Sequence, residues 1–161
     1  DNVDSDILYT IAAFHDIGHH IDKKNHETLS AQIFYENNDM KQFFTKEQRI
    51  IIKEGIEDHR ASSDKVPRSD YGKIISSADR STSVEDFLRR THAYTLKHNP
   101  NSTVDEMLER AYNHTIEKYG NNGYAKHYVV DNDYVEFRNK ILELINDKEK
   151  FNYKYLQTNN I

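Results

Sequence analysis

Cysteine is absent from the 161 residues. That excludes disulfides and thiolate metal sites, and it is compatible with a reducing cytoplasm, where we expect the protein to work. Proline occurs only twice, too rarely to punctuate a set of long helices. No apolar run approaches the roughly 20 residues that a membrane-crossing helix needs. No signal-peptide pattern opens the chain, which starts at Asp1 rather than Met, as expected of a fragment or a processed chain. Positive charge is not in excess: the net charge is -5, so the protein as a whole is no electrostatic trap for long nucleic acid. Internal repeats, domain linkers and low-complexity segments are lacking too.

What is there reads as helix. A hydrophobic fraction of 36% and a charged fraction of 30% fit a helical domain with a heavily charged outer face. The length suits one domain with a sizeable core. Apolar residues recur at helical spacing along most of the chain, so the expected fold class is all-α, a single-domain helical bundle. Asp4 or Ser5 caps a first helix carrying Ile7, Leu8, Ile11, Ala12 and Phe14, which Gly18 ends or bends. After a polar loop over 18–25, a second helix presents His26, Leu29, Ile33 and Phe34 on one side and stops at Asn37-Asn38-Asp39. Thr45-x-x-Gln48 is a capping box opening a third helix with Ile50, Ile51, Ile52 and Ile56, and His59 follows Ile56 on the same face.

Past a loop over 61–69 that holds Pro67, a fourth helix carries Ile74, Ile75 and Ala78, and Asp79 extends its inward face. Val84, Phe87, Leu88 and Thr91 continue the pattern as far as Asn99-Pro100-Asn101. A second capping box, Thr103-x-x-Glu106, opens a helix with Met107, Leu108, Ala111, Tyr112 and Ile116 that ends at Gly120. A last helix carries Tyr134, Phe137, Ile141, Leu144 and Ile145, and residues 148–161 read as a loose polar tail.

The chemistry concentrates in His15-Asp16, at the polar end of the apolar segment Ile11-Ala12-Ala13-Phe14. An unpaired buried carboxylate is costly, so a His-Asp pair at the inner end of a buried helix needs a partner, and a metal ion is one. A divalent metal used for hydrolysis needs neutral imidazoles, carboxylates and an open position for water. His15, Asp16, His26, His59 and Asp79 supply those ligand types, each at or near a helix end beside an inward apolar stripe. Arg80 and Arg68 offer paired donors for a phosphate, and Lys23 lies in the loop after His15-Asp16 where a substrate could approach. Asp58 neighbours His59 and could orient a ligand or accept a proton. His92, His98, His114 and His127 have no matching partners and are expected at the surface or in packing. Tyr112, Tyr119, Tyr124, Tyr128 and Tyr134 are read as packing residues at helix edges rather than as a stacking platform.

The order His-Asp, His, His, Asp is similar to that of the HD-domain superfamily of metal-dependent phosphohydrolases. The matching segments are Phe14-His15-Asp16-Ile17-Gly18, Asn25-His26-Glu27-Thr28-Leu29-Ser30-Ala31, Ile56-Glu57-Asp58-His59-Arg60 and Ile74-Ile75-Ser76-Ser77-Ala78-Asp79-Arg80. Together they cover residues 5–90; no motif covers the chain from about Thr91 onward. The resemblance implies that His15, Asp16 and Asp79 hold one metal and that Asp16 bridges to a second, held by His26 and His59. It implies one or two divalent ions as cofactor, and the ligand set does not choose among Fe, Mn, Ni, Zn, Mg and Co.

The implied activity is hydrolysis of a phosphate ester or anhydride, with hydroxide from the metal site attacking phosphorus. A small nucleotide is the expected substrate; long nucleic acid and membrane are not expected partners, and oligomerisation is left open. The expected catalytic set is Asp16, His19 and Asp58. His19 stands where some two-metal relatives carry a lysine that acts on the leaving group, and an imidazole can donate a proton near neutral pH. The superfamily has a further metal-binding histidine on a helix upstream of His-Asp; no histidine precedes His15, so that helix is expected before residue 1. Two other functions stay open on the same ligand set: a di-iron oxygenase, and a non-catalytic nucleotide-binding regulatory module.

Overall fold

The computed structural model describes residues 3–63 and 65–161. The chain is all-α, as its periodicity predicts: α1 (Ser5–Phe14), α2 (His26–Glu36), α3 (Lys46–Glu57), α4 (Asp70–Ala78), α5 (Val84–His98), α6 (Val104–Tyr119), α7 (Asn132–Asn146) and α8 (Lys148–Asn159). A short 3₁₀ turn, Asp39–Gln42, follows α2. No strand occurs among the described residues. Where one core was expected, the helices group into two compact units, Asp1–Arg80 with Lys126–Val129, and Ser81–Ala125 with Val130–Ile161.

The first unit is built around α3, which packs on α1, α2, α4 and the 3₁₀ turn. Its core is Ile7, Ile11, Ala31, Phe34, Ile52, Ile56 and Ile75. Asp4 rather than Ser5 caps α1, its carboxylate accepting the backbone N–H groups of Asp6 and Ile7. The Thr45–Gln48 capping box forms as the sequence predicts. α1 and α3 lie so close that a Cβ on Gly55 would fall 2.5 Å from Ile11 Cδ1.

Two inward faces differ from the sequence reading. On α2 the buried residues are Ser30, Ala31 and Phe34, while Leu29 and Ile33 are only half-buried. A hydroxyl goes inside because Ser30 Oγ accepts the Gly18 N–H at 2.9 Å, so the polar group is satisfied. On α4 the buried face is Gly72, Ile75 and Ser76, with Ile74 half-buried and Ala78 exposed. Asp79 still continues that face, four residues after Ile75.

The second unit packs α5 to α8 around Val84, Phe87, Leu88, Met107, Leu108, Ala111, Tyr119, Phe137, Ile141, Leu144, Phe151 and Tyr155. The Thr103–Glu106 capping box forms here too. Tyr119 is core, and Tyr112 donates its hydroxyl to Ile145 O at 2.7 Å, so these two tyrosines pack as expected. His114 stacks on Phe87 with ring centroids 5.9 Å apart.

The loose tail expected over 148–161 is corrected: it is α8. Asp147 ends α7 and caps α8 through the Lys150 N–H, and Phe151 and Tyr155, four residues apart, are completely buried. The Phe151 ring meets Tyr112 edge-on at 5.2 Å. Burial pushes the Tyr155 phenol up to about 12, so it stays protonated, and its hydroxyl is hydrogen-bonded with His92 Nδ1 at 2.9 Å.

Phe151→Ala should therefore lower the unfolding free energy by about 3–5 kcal/mol, the cost of removing a fully buried aromatic ring. Denaturant unfolding followed by far-UV circular dichroism measures this. A change within about 0.5 kcal/mol, normal for a surface site, would return the segment to a tail.

Candidate metal centre

Four helix ends of the first unit meet at one place. His15 is the C-cap of α1 and Asp16 follows it; His26 opens α2; His59 sits just beyond Asp58, the C-cap of α3; Asp79 is the C-cap of α4. Three of these four are C-terminal ends, whose unpaired carbonyls carry partial negative charge and favour a cation. The turn after α1 is pinned to α2 at Gly18. A Cβ there would sit 3.0 Å from Ser30 N and 3.1 Å from Leu29 Cβ, so glycine permits the close approach. No described glycine has a positive φ, so Gly18 serves the turn after α1 through this close contact.

The three imidazoles are locked alike. His15 Nδ1 donates to Ala12 O at 2.7 Å, His26 Nδ1 to Lys23 O at 3.0 Å and His59 Nδ1 to Ile56 O at 2.6 Å. Each ring thus spends its proton on the carbonyl three residues earlier and turns a bare Nε2 lone pair into the cluster. Asp16 lies among them, with Oδ1 3.3 Å from His26 Nε2 and 3.6 Å from His59 Nε2, and Oδ2 3.9 Å from His15 Nε2. Asp79 Oδ1 is 3.6 Å from His15 Nε2.

His26 Nε2 and His59 Nε2 are 3.0 Å apart. With both Nδ1 atoms already donating, so close an approach of the two Nε2 atoms is favourable when a proton or a metal ion lies between or beside them. One donor atom each from Asp16, His26 and His59 falls within a 4.8 Å span, compact enough to ligate a single ion. The donor set fits a divalent first-row metal, with nitrogen and carboxylate oxygen and no thiolate.

A family model, the HD domain, matches residues 1–83. The chain belongs to the HD domain family. HD domains are mostly metal-dependent hydrolases that bind divalent ions, and the match spans all five clustered residues. A search of the curated proteins finds no match, and a search of the solved structures finds none either.

Around this HD centre the remaining site candidates separate. His19 lies beside it, its ring 5.1 Å from that of His26. Lys23 meets the cluster through its backbone carbonyl, and its side chain is exposed. Asp58 does not join: Oδ2 accepts the Arg68 N–H at 2.7 Å and Oδ1 accepts Arg68 Nε at 3.0 Å. Arg68 is consumed in the same network, donating also to Glu57 Oε2 at 2.8 Å and Glu54 O at 3.0 Å. Arg80 is buried and donates to Ser76 Oγ at 2.7 Å. Asp58, Arg68 and Arg80, from which a ligand-side role and a phosphate grip were expected, are thus seen in contacts that serve the fold.

Three residues beside the centre escaped the sequence reading. Ser30 holds the Gly18 turn. Ser77, two residues before Asp79, accepts the N–H groups of Tyr128 and Val129 at 3.0 and 3.1 Å and so ties a distant segment to α4. Arg60 pairs with Glu27 at 2.7 Å. The only sequence signal for that pair is opposite charge directly after His59 and directly after His26.

Charge sets the proton balance of the metal-free cluster. The Asp79 carboxylate raises the pKa of His15, whereas desolvation lowers that of His59. Burial pushes the Asp79 carboxyl up, yet His15 beside it holds the net shift below the ordinary range. The His15 contribution to stability is full below pH 6.5 and is lost as pH rises through its raised folded value. The His59 contribution is present above pH 6.5 and is lost as pH falls from there to its lowered folded value. An NMR titration of the metal-free protein should show one ring titrating above and one below the ordinary histidine value, and His15→Gln should remove the upper one. Coincident titrations near the ordinary value would contradict this.

Proposed function

We propose that this HD domain is a metal-dependent phosphohydrolase that cleaves a phosphate ester or anhydride of a small nucleotide. The observation that carries the reading is the pair of Nε2 atoms of His26 and His59 3.0 Å apart, with Asp16 within reach of both. His15, Asp16 and Asp79 would hold one ion, and Asp16, His26 and His59 a second. A bound divalent ion polarises the phosphoryl oxygens and lowers the pKa of water, so that a hydroxide is available at neutral pH.

The chain's own residues supply the rest. Asp16 spans both halves of the cluster, since a carboxylate has two oxygens to offer. The carbonyls of Ala12, Lys23 and Ile56 take the Nδ1–H of each imidazole, so that Nε2 is the nitrogen left to ligate. As the new phosphorus–oxygen bond forms and the old one breaks, the leaving oxygen needs a proton. His19, exposed and beside His26, is placed to give it. Lys23 brings a cation to the same loop for the phosphate.

A small substrate is favoured over a polymer by the net charge of -5. No helix of the described residues is long and apolar enough to cross a membrane. The absence of cysteine is in keeping with a cytoplasmic protein.

Nucleotide phosphate release should require added metal, and Asp16→Ala should lower it by about a thousandfold or more, the scale of losing a principal transition-state charge stabiliser. His19→Ala should cost about a hundredfold, recovered best with substrates whose leaving group is a strong acid. Phosphate assays across Mn, Fe, Co, Ni, Zn and Mg test both. Oxygen uptake by iron-loaded protein without phosphate release would replace hydrolysis by oxygenase chemistry.

A further inference from the structure

His26 and His59 come from separate helices, and their spacing is not set by either helix alone. α2 starts at His26, yet its N-cap residue, Asn25, makes no side-chain cap. The loop before it is organised instead by Asp22. Its Oδ1 accepts the Lys24 and Asn25 N–H groups at 2.9 and 3.2 Å, and its Oδ2 accepts Asn25 Nδ2 at 2.9 Å. That turn leaves the Lys24 carbonyl pointing outward, and Arg60 takes it.

Arg60 directly follows His59. Its Nη1 donates to Lys24 O and to Glu27 Oε2, the latter at 2.7 Å, while Nε donates to Ser62 Oγ at 2.9 Å. One guanidinium therefore grips the residues on both sides of His26's attachment, Lys24 before it and Glu27 after it, from the backbone position next to His59. The same Glu27 oxygen lies 3.6 Å from His26 Nδ1 and faces the ring with negative charge. Arg60 is 29% and Glu27 20% exposed, so the pair is half-screened from water, beneath neither core cluster.

We infer that Arg60 is a positioning residue of the metal centre: through the Lys24 carbonyl and Glu27 it fixes the separation of His26 and His59, and so the affinity of the ion those two histidines hold. The inference rests on the metal reading above and deepens it. Without the clamp the two Nε2 atoms are free to separate in the metal-free protein. Bringing them back on metal binding then costs affinity. A guanidinium is needed because two of its nitrogens are used, Nη1 on Lys24 O and Glu27 Oε2 and Nε on Ser62 Oγ; a lysine has a single nitrogen and cannot span the three acceptors.

The test is titration of the full chain with Co²⁺ alone, read by calorimetry and by visible absorption, with His26→Ala defining the equivalent that depends on the pair. Arg60→Ala should weaken that equivalent ten- to hundredfold, as loss of a group supporting a metal ligand does. Arg60→Lys should recover only part of it. Glu27→Gln keeps the shape, guards against misfolding and should weaken it in the same direction. Adding Glu27→Gln to Arg60→Ala should cost little more than Arg60→Ala alone. The metal-free melting transition should move by no more than a few degrees, as for a partly exposed ion pair. Unchanged Co²⁺ affinity in both Arg60→Ala and Glu27→Gln overturns the inference while leaving the metal centre intact. Wild-type protein that takes up no Co²⁺, or His26→Ala that loses none, overturns the metal reading and the inference with it.

Discussion

Three imidazoles donating Nδ1–H to the carbonyl three residues before them is the constraint on which the site depends. The contact fixes the tautomer, fixes the ring plane and aims Nε2 without any help from a metal. It is made where the chain leaves a regular helix, at ends whose carbonyls lack the amide partners of a helix interior. That is why His15 and His59 sit at C-terminal ends and His26 at the first residue of its helix. The ends also contribute charge: three converging C-termini present carbonyl dipoles of one sign to a common centre, and a cation is the natural complement.

Holding four helix ends together requires close helix contacts, and small residues provide them. Gly55 lets Ile11 enter the surface of α3, and Gly18 lets the turn after Asp16 lie on the backbone of α2. Ser30 converts that second contact into a directed one by accepting the Gly18 N–H. The placement of Asp16 against His26 thus traces to a glycine and a serine twelve residues apart. Asp58 and Arg68 do comparable work on the far side of His59, where their mutual hydrogen bonds anchor the loop before α4 to the end of α3.

Much of this was legible in the sequence, and the unread parts have physical reasons. Capping boxes at Thr45 and Thr103 are local signals, complete within four residues, and both formed. The clustering of His15, Asp16, His26, His59 and Asp79 was legible because each residue continues an apolar stripe toward a helix end. α8 was not, because Phe151, Tyr153 and Tyr155 alternate at a spacing of two among lysines and asparagines and give no helical periodicity; the helix is held by Phe151 and Tyr155 finding a core made by other segments. Ser30 was misjudged for the converse reason: a hydroxyl counts as polar in a periodicity reading until its partner, here the Gly18 N–H, is known. Arg68 and Arg80 show the limit for charges. Sequence supplies a guanidinium near a site, but only the fold reveals that Asp58, Glu57 and Ser76 already occupy it.

With Arg68 and Arg80 hydrogen-bonded within the fold, the electrostatics of the proposed reaction rest first on the cluster itself. Asp16 and Asp79 give the cluster two negative charges, and its three imidazoles are neutral in the ligating form. A single divalent ion would bring the centre only to neutrality, leaving Lys23 as the cation offered to a phosphate on a protein of net charge -5. Two such ions leave it with a net positive charge in a partly desolvated place, where it counts for more than at the surface. On this reading substrate attraction falls to the ion held by His26 and His59 rather than to an arginine grip. The group that spaces those two histidines, Arg60 with Glu27, then governs substrate binding as well as metal binding, although it touches neither substrate nor metal.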